Sequence, residues 1–101
     1  MREVIYHPDA QPEVIKAAVY HEQQRAGLGQ RFLEDFDRAI ADIQQHPEAW
    51  PALEGAYRRH QFRHFPYGII YRIYPEAIRV LAIMHLHQHP AYWKQRTRGE
   101  P

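Results

Sequence analysis

Apolar positions in this chain alternate, then recur at helical spacing, then alternate again, and each change of period marks an element. Residues 3 to 7, Glu-Val-Ile-Tyr-His, are a short β-branched and aromatic run ended by Pro8-Asp9, which reads as a first strand. Asp9 is placed to cap a helix whose first turn tolerates Pro12, because the amides there have no intrahelical acceptor. Val14, Ile15, Ala18 and Val19 continue at helical spacing, so the pattern predicts an apolar face containing Ile15, Ala18 and Val19, closed by Gly27. After Gly27-Leu28-Gly29, the residues Phe32, Leu33, Phe36, Ile40 and Ile43 predict a second helix stopping near Pro47. Glu34, Asp35, Asp37 and Asp42 lie on its other sides.

So short a break makes the two helices antiparallel neighbours, and their common apolar stripe needs a cover. Residues 47 to 55, with two prolines and Trp50, read as a loop with an aromatic anchor assigned to packing. Strands are then predicted over 57–62, 67–74 and 78–87, with turns at 63–66 and at Pro75-Glu76, forming an antiparallel meander. Tyr67, Ile69, Tyr71 and Ile73 alternate with Gly68, Ile70, Arg72 and Tyr74, so both faces of that strand are substantially apolar. One face covers the helices, and the other is expected to meet a partner. The fold class is therefore α+β: an N-terminal strand and an antiparallel helical hairpin packed on a mainly antiparallel sheet, in the order β-α-α-β-β-β. A single domain over 1–96 is expected. The polar end is expected to fray from Arg96, with a disordered tail over 97–101.

With 101 residues there is room for one core. The absence of cysteine excludes a disulfide framework, a thiolate metal site and a thiol nucleophile. The opening MREVIYHPDA has no continuous apolar h-region, and no stretch approaches the roughly 20 apolar residues of a membrane span, so a cytoplasmic protein without membrane partners is expected. The net charge of +1 hides a division: residues 1–57 hold five Lys/Arg against ten Asp/Glu, and residues 58–101 hold eight against two. The halves are thus −5 and +6, and five of the eight histidines lie in the basic one. That field favours phosphate or an acidic polypeptide as the partner of the second half, although two charged surfaces could also simply balance.

Candidate chemistry concentrates in that half. Arg58, Arg59 and Arg63 could grip phosphate, or pair with carboxylates such as Glu54 and otherwise stay solvated. Tyr67 and Tyr71 beside arginines could stack on a base, though their alternation with Ile69 and Ile73 also suits core packing. His85, His87 and His89 would emerge on one face of a continued strand. A His-x-His pair can hold a divalent metal, but no carboxylate lies close in sequence and Pro90 ends the strand, so neither a metal nor a cofactor is expected. A contact surface or structural histidines are the other readings. Tyr92, Trp93, Lys94 and Arg96 combine aromatic bulk with positive charge, as a contact surface would, or Trp93 caps the core. With Arg72 and His89, these residues complete the candidate binding set.

The segment Arg63-His64-Phe65-Pro66-Tyr67-Gly68-Ile69-Ile70-Tyr71-Arg72-Ile73 resembles the strand-turn-strand pattern of the RelE/ParE toxins. The run from Val80 to Trp93 is similar to the ending of ParE-like members, and the helical hairpin with Gly27 and Gly29 before Arg31-Phe32-Leu33 also fits. The resemblance covers residues 3 to 96. It implies the toxin of a type II toxin–antitoxin pair, partnered by a cognate antitoxin in a hetero-oligomer. RelE-like ribonucleases resembling this chain carry basic residues where it has Gln61 and Gly68, so two are lost. For a RelE-like enzyme cutting ribosome-bound mRNA, the resemblance would assign catalysis to Arg59, Arg63, His85, His87 and Tyr92, with histidine moving the proton. The ending fits ParE-like members better, which implies a toxin that binds DNA gyrase without chemistry of its own. A non-toxic antitoxin-binding or autoregulatory subunit is the third reading.

Overall fold

The computed structural model describes residues 1–98. Strand β1 (Glu3–Tyr6) leads into α1 (Ala10–Gln24) and α2 (Leu28–Gln45). Four strands follow, β2 (Ala52–Glu54), β3 (Tyr57–Gln61), β4 (Tyr67–Ile73) and β5 (Ala77–His85), and a 3-10 helix over Pro90–Thr97 closes the described chain. The sheet order is β1-β5-β4-β3-β2; β1 runs parallel to β5 and every other pair is antiparallel. The α+β architecture is the one the periodicities imply.

Four details depart from the sequence expectation. The loop over 47–55 contains β2, an irregular three-residue edge strand paired to β3. The last strand ends at His85, not His87, because Leu86–Gln88 turn under a hydrogen bond from the Gln88 amide to the His85 carbonyl. The first helix is also rotated from its predicted face: Ala10, Val14, Ala17 and Ala18 are buried, while Ile15 and Val19 are 64% and 51% exposed. Ala18 lies where the two helices nearly touch; a Cβ on Gly29 would lie 2.6 Å from the Ala18 carbonyl oxygen. Lastly, Asp35 is buried rather than on the polar side of α2, since its carboxylate accepts the His64 amide at 2.8 Å and fixes the β3–β4 turn.

The hairpin is capped from a distance. No Ser, Thr, Asp or Asn stands before α2, and Gly27, at a positive φ of 89°, begins it. The Glu22 carboxylate of α1 accepts the Gly27 and Gly29 amides at 3.0 Å each, supplying the acceptors that a helix start lacks. Asp9 holds the N-cap position of α1, but its carboxylate makes no capping bond.

Two cores lie on opposite faces of the sheet. Phe32, Ile43, Ile69, Tyr71, Val80 and Ile83 pack with the helices, and Ile70, Leu81, Ala82, Met84 and Trp93 pack on the other side. A β-bulge divides them: Ile70 pairs with Ala82 and Tyr71 with Val80, leaving Leu81 as the extra residue. That insertion lets Val80 and Ile83 face the helices while Leu81, Ala82 and Met84 face away. The second apolar face is not bare sheet, because Trp93 of the 3-10 helix covers part of it at 2% exposure.

Candidate functional site

The arginines of β3 and its turn are divided by the pleat of the strand. Arg58 faces the helix side and donates to the carbonyls of Trp50 at 2.5 Å and Glu48 at 3.4 Å, so it ties down the segment leading to β2. Arg59 points to the opposite face, with its stem against Gly68. Arg63, in the turn, sits 3.6 Å from the Asp42 carboxylate. The same Asp42 oxygen lies 3.6 Å from His60 Nε2, and the buried His60 ring packs on Trp50 at 3.9 Å between centroids. Burial lowers the His60 pKa, with the Asp42 carboxylate opposing it.

Of the strand tyrosines, Tyr71 is fully buried and donates its hydroxyl to the Pro47 carbonyl at 2.7 Å, so it offers no face to a base. Burial pushes its pKa up to about 12. Tyr67 is half-buried in an aromatic cluster with His21, Phe32, Phe62 and His85. Arg72 lies on the second face with its guanidinium over the rings of Tyr57 and Tyr74, at 5.7 and 4.9 Å.

The three histidines do not share a strand face, because β5 ends at the first of them. His85 packs edge-on to Tyr67 at 5.3 Å, and its Nδ1 accepts the His87 amide at 3.1 Å. His87 is exposed in the turn, its ring 5.0 Å from that of His85. His89 is instead the N-cap of the 3-10 helix, where its Nδ1 accepts the Ala91 amide at 3.0 Å. Among the described residues no group of three His, Cys, Asp or Glu is placed to hold a metal.

The C-terminal candidates are anchored, not frayed. Arg96 makes paired hydrogen bonds to the Glu13 carboxylate at 2.8 and 2.9 Å and a third to the Leu81 carbonyl at 3.1 Å. The Tyr92 hydroxyl donates to the same carboxylate, and the Ile83 amide donates to it at 3.0 Å. These groups close the part of β5 that extends beyond β1, whose pairing stops at Val80. Lys94 pairs with Glu54 at 3.0 Å, and Trp93 packs against Tyr57 at 5.3 Å. Of the tail expected over 97–101, Thr97 ends the 3-10 helix, and residues 99–101 lie outside the described chain. Sequence reasoning missed Glu13 and His21, which line an open groove of about 510 Å³ with Tyr20, Tyr67, His85 and Tyr92. An isolated acid and histidine on an amphipathic helix carry no local signal of that role.

With this geometry in place, comparison with known proteins decides the family. The family described as ParE toxin of type II toxin-antitoxin system, parDE, matches residues 4–90. The chain belongs to the ParE toxin family. Among solved structures, this ParE toxin is similar to a chain of the chromosomal ParDE toxin–antitoxin system from P. aeruginosa. The TM-score is 0.70 at 14% identity, over 84% of this chain and 96% of that one, which is a likeness of fold. No curated protein matches it in sequence. No helix among the described residues of this ParE toxin is long and apolar enough to cross a membrane.

Within the ParE toxin, the residues proposed for ribonuclease chemistry do not all share one face, although His85 and Tyr92 line the same groove. Arg59 pairs in register with Ile70 and faces away from the helices, whereas His85 pairs with Tyr67 and faces them. The Tyr92 hydroxyl is occupied by Glu13.

Proposed function

We propose that this ParE toxin arrests growth in the bacterial cytoplasm by binding DNA gyrase, and that a cognate antitoxin neutralises it by covering its basic half. The observation that supports this reading is the placement of Arg59 and His85 on opposite faces of the sheet. Cleavage of a ribose-phosphate bond needs a proton-transfer group and a cation within reach of one phosphate. Two groups separated by a sheet cannot serve one scissile bond. A binding toxin has no such requirement: it needs a charged, shaped surface, and although Arg63, Lys94 and Arg96 pair with carboxylates of the first half, residues 58–101, +6 in sequence, retain Arg59 without an ion pair among the described residues for an acidic antitoxin segment to meet.

The test is brief induction of the chain without its neighbour in a bacterial host, mapping message cleavage and gyrase-linked DNA breaks in the same culture. DNA breaks with intact message are the expected result. Cut codons in translated message would replace this reading with the ribonuclease one, and normal growth would mean that toxicity has been lost.

A further inference from the structure

On the face of the sheet away from the helices, the 3-10 helix covers only part of the apolar surface. Beside Trp93 a cavity of about 230 Å³ remains, floored by Ile70 and Met84 and walled by Leu53 and Leu86. Its polar lining includes Arg59 and Glu54, and these two differ in one respect. Glu54 is engaged by Lys94 at 3.0 Å, whereas Arg59 forms no ion pair or side-chain hydrogen bond among the described residues. Arg59 is half-buried beside these apolar walls, so its guanidinium is available to a carboxylate brought from outside.

Gly68 makes this arrangement possible. A Cβ there would lie 3.1 Å from both Cγ and Cδ of Arg59 and 3.3 Å from Leu86 Cδ2, so the bare backbone lets the arginine stem lie flat across β4. The missing side chain at Gly68, which at the level of sequence is only a lost charge, is what sets the position of Arg59. The rim is formed by β2, a three-residue edge strand whose Leu53 is 44% exposed. The apolar floor, the short edge-strand rim and an arginine without an ion pair among the described residues together fit an aliphatic side chain with a carboxylate close to it in sequence.

We infer that this groove is a docking site for the antitoxin, receiving an acidic-apolar segment whose carboxylate pairs with Arg59 and whose aliphatic side chain fills the space between Leu53, Met84 and Trp93. The inference rests on the antitoxin reading above and adds to it a location and a pairing. Charge complementarity selects the occupant: phosphate would satisfy Arg59 but would leave the apolar walls in water, whereas a second copy of this chain would have to bring a free carboxylate of its own.

The experiment measures the affinity of the purified toxin for the antitoxin encoded beside it, by titration calorimetry at low and high salt. Arg59→Met keeps the stem and removes the charge; Arg59→Lys keeps the charge; Gly68→Ala displaces the stem. Arg38→Ala, at an exposed position on α2 in the acidic half, is the control, and thermal melting verifies that each variant folds. The expected result is a loss of about tenfold or more for Arg59→Met, a smaller loss for Arg59→Lys, and an unchanged affinity for Arg38→Ala. The salt dependence should also be weaker in Arg59→Met than in the wild type. Wild-type affinity in a folded Arg59→Met variant overturns the groove and leaves the toxin reading intact. If the wild-type chain itself does not bind that antitoxin, the antitoxin reading fails and the groove fails with it.

Discussion

Glu13 in the first turns of α1 and Arg96 at the end of the 3-10 helix, 83 residues apart, form a two-bond ion pair that holds the last described segment against the sheet. Their side chains are 14% and 10% exposed, and the carboxylate also receives the Tyr92 hydroxyl and the Ile83 amide. The hydrogen bond to Glu13 raises the Arg96 pKa, against the opposing effect of burial. Removing the arginine would leave a largely enclosed carboxylate short of its charge partner. Arg96→Met should therefore cost about 2–3 kcal/mol in urea denaturation. Adding Glu13→Gln should cost much less than its effect alone, because the two act as one unit. Strict additivity of the two losses would mean that the pair contributes nothing as a pair.

The close contact of the helical hairpin makes Gly29 sensitive. A methyl group there meets the Ala18 carbonyl oxygen at 2.6 Å and the Glu22 Cβ at 2.9 Å, and the first of these is backbone that cannot turn aside. Gly29→Ala should destabilise by about 1–3 kcal/mol despite the better helix propensity of alanine. Calorimetric melting tests this, with about 4–8 °C lost per kcal/mol in a domain of this size. An unchanged melting temperature would mean that the helices can separate without cost.

His60 gives stability a dependence on mildly acid pH. Its ring is buried against Trp50, with Nδ1 unpartnered, and burial lowers its pKa below the ordinary 6.5 even though Asp42 pulls the other way. The unfolded chain therefore takes up this proton first, so stability is present above 6.5 and is lost as pH falls from there through the lower folded value. His21, lowered by burial and by His85, acts with the same sign. Urea midpoints on either side of 6.5 should fall with acidification in the wild type and fall less in His60→Gln. Equal slopes in both would assign the acid sensitivity elsewhere.

His87 separates the two modes of toxicity. Its ring is exposed in a turn, so His87→Ala should change stability by less than about 0.5 kcal/mol. Under the gyrase reading the variant still arrests growth on induction. A folded variant that no longer arrests growth, set against cut message in the wild type, would favour catalysis by this histidine.

Sequence periodicity by itself determined the types and order of β1, α1, α2, β3, β4 and β5, but neither β2 nor the 3-10 helix. The alternation in β4, the i, i+4 recurrence in α2 and the Gly27–Gly29 break depend on contacts between near neighbours, where side-chain period and backbone geometry are directly coupled. The motifs Arg63–Ile73 and Val80–Trp93 likewise pointed to the family that residues 4–90 match. What only the tertiary structure decided were the partners of polar groups. Whether Asp35 was solvated or held the β3–β4 turn, whether Arg96 frayed or met Glu13, and whether Ile15 or Ala17 was buried all turned on atoms distant in sequence. The bulge at Leu81 belongs to the same class, since one inserted residue reverses the facing of everything beyond it. Local pattern fixes which surfaces a segment can present; the cost of burying unpaired polar groups fixes which of them meet, and that sum runs over the whole fold.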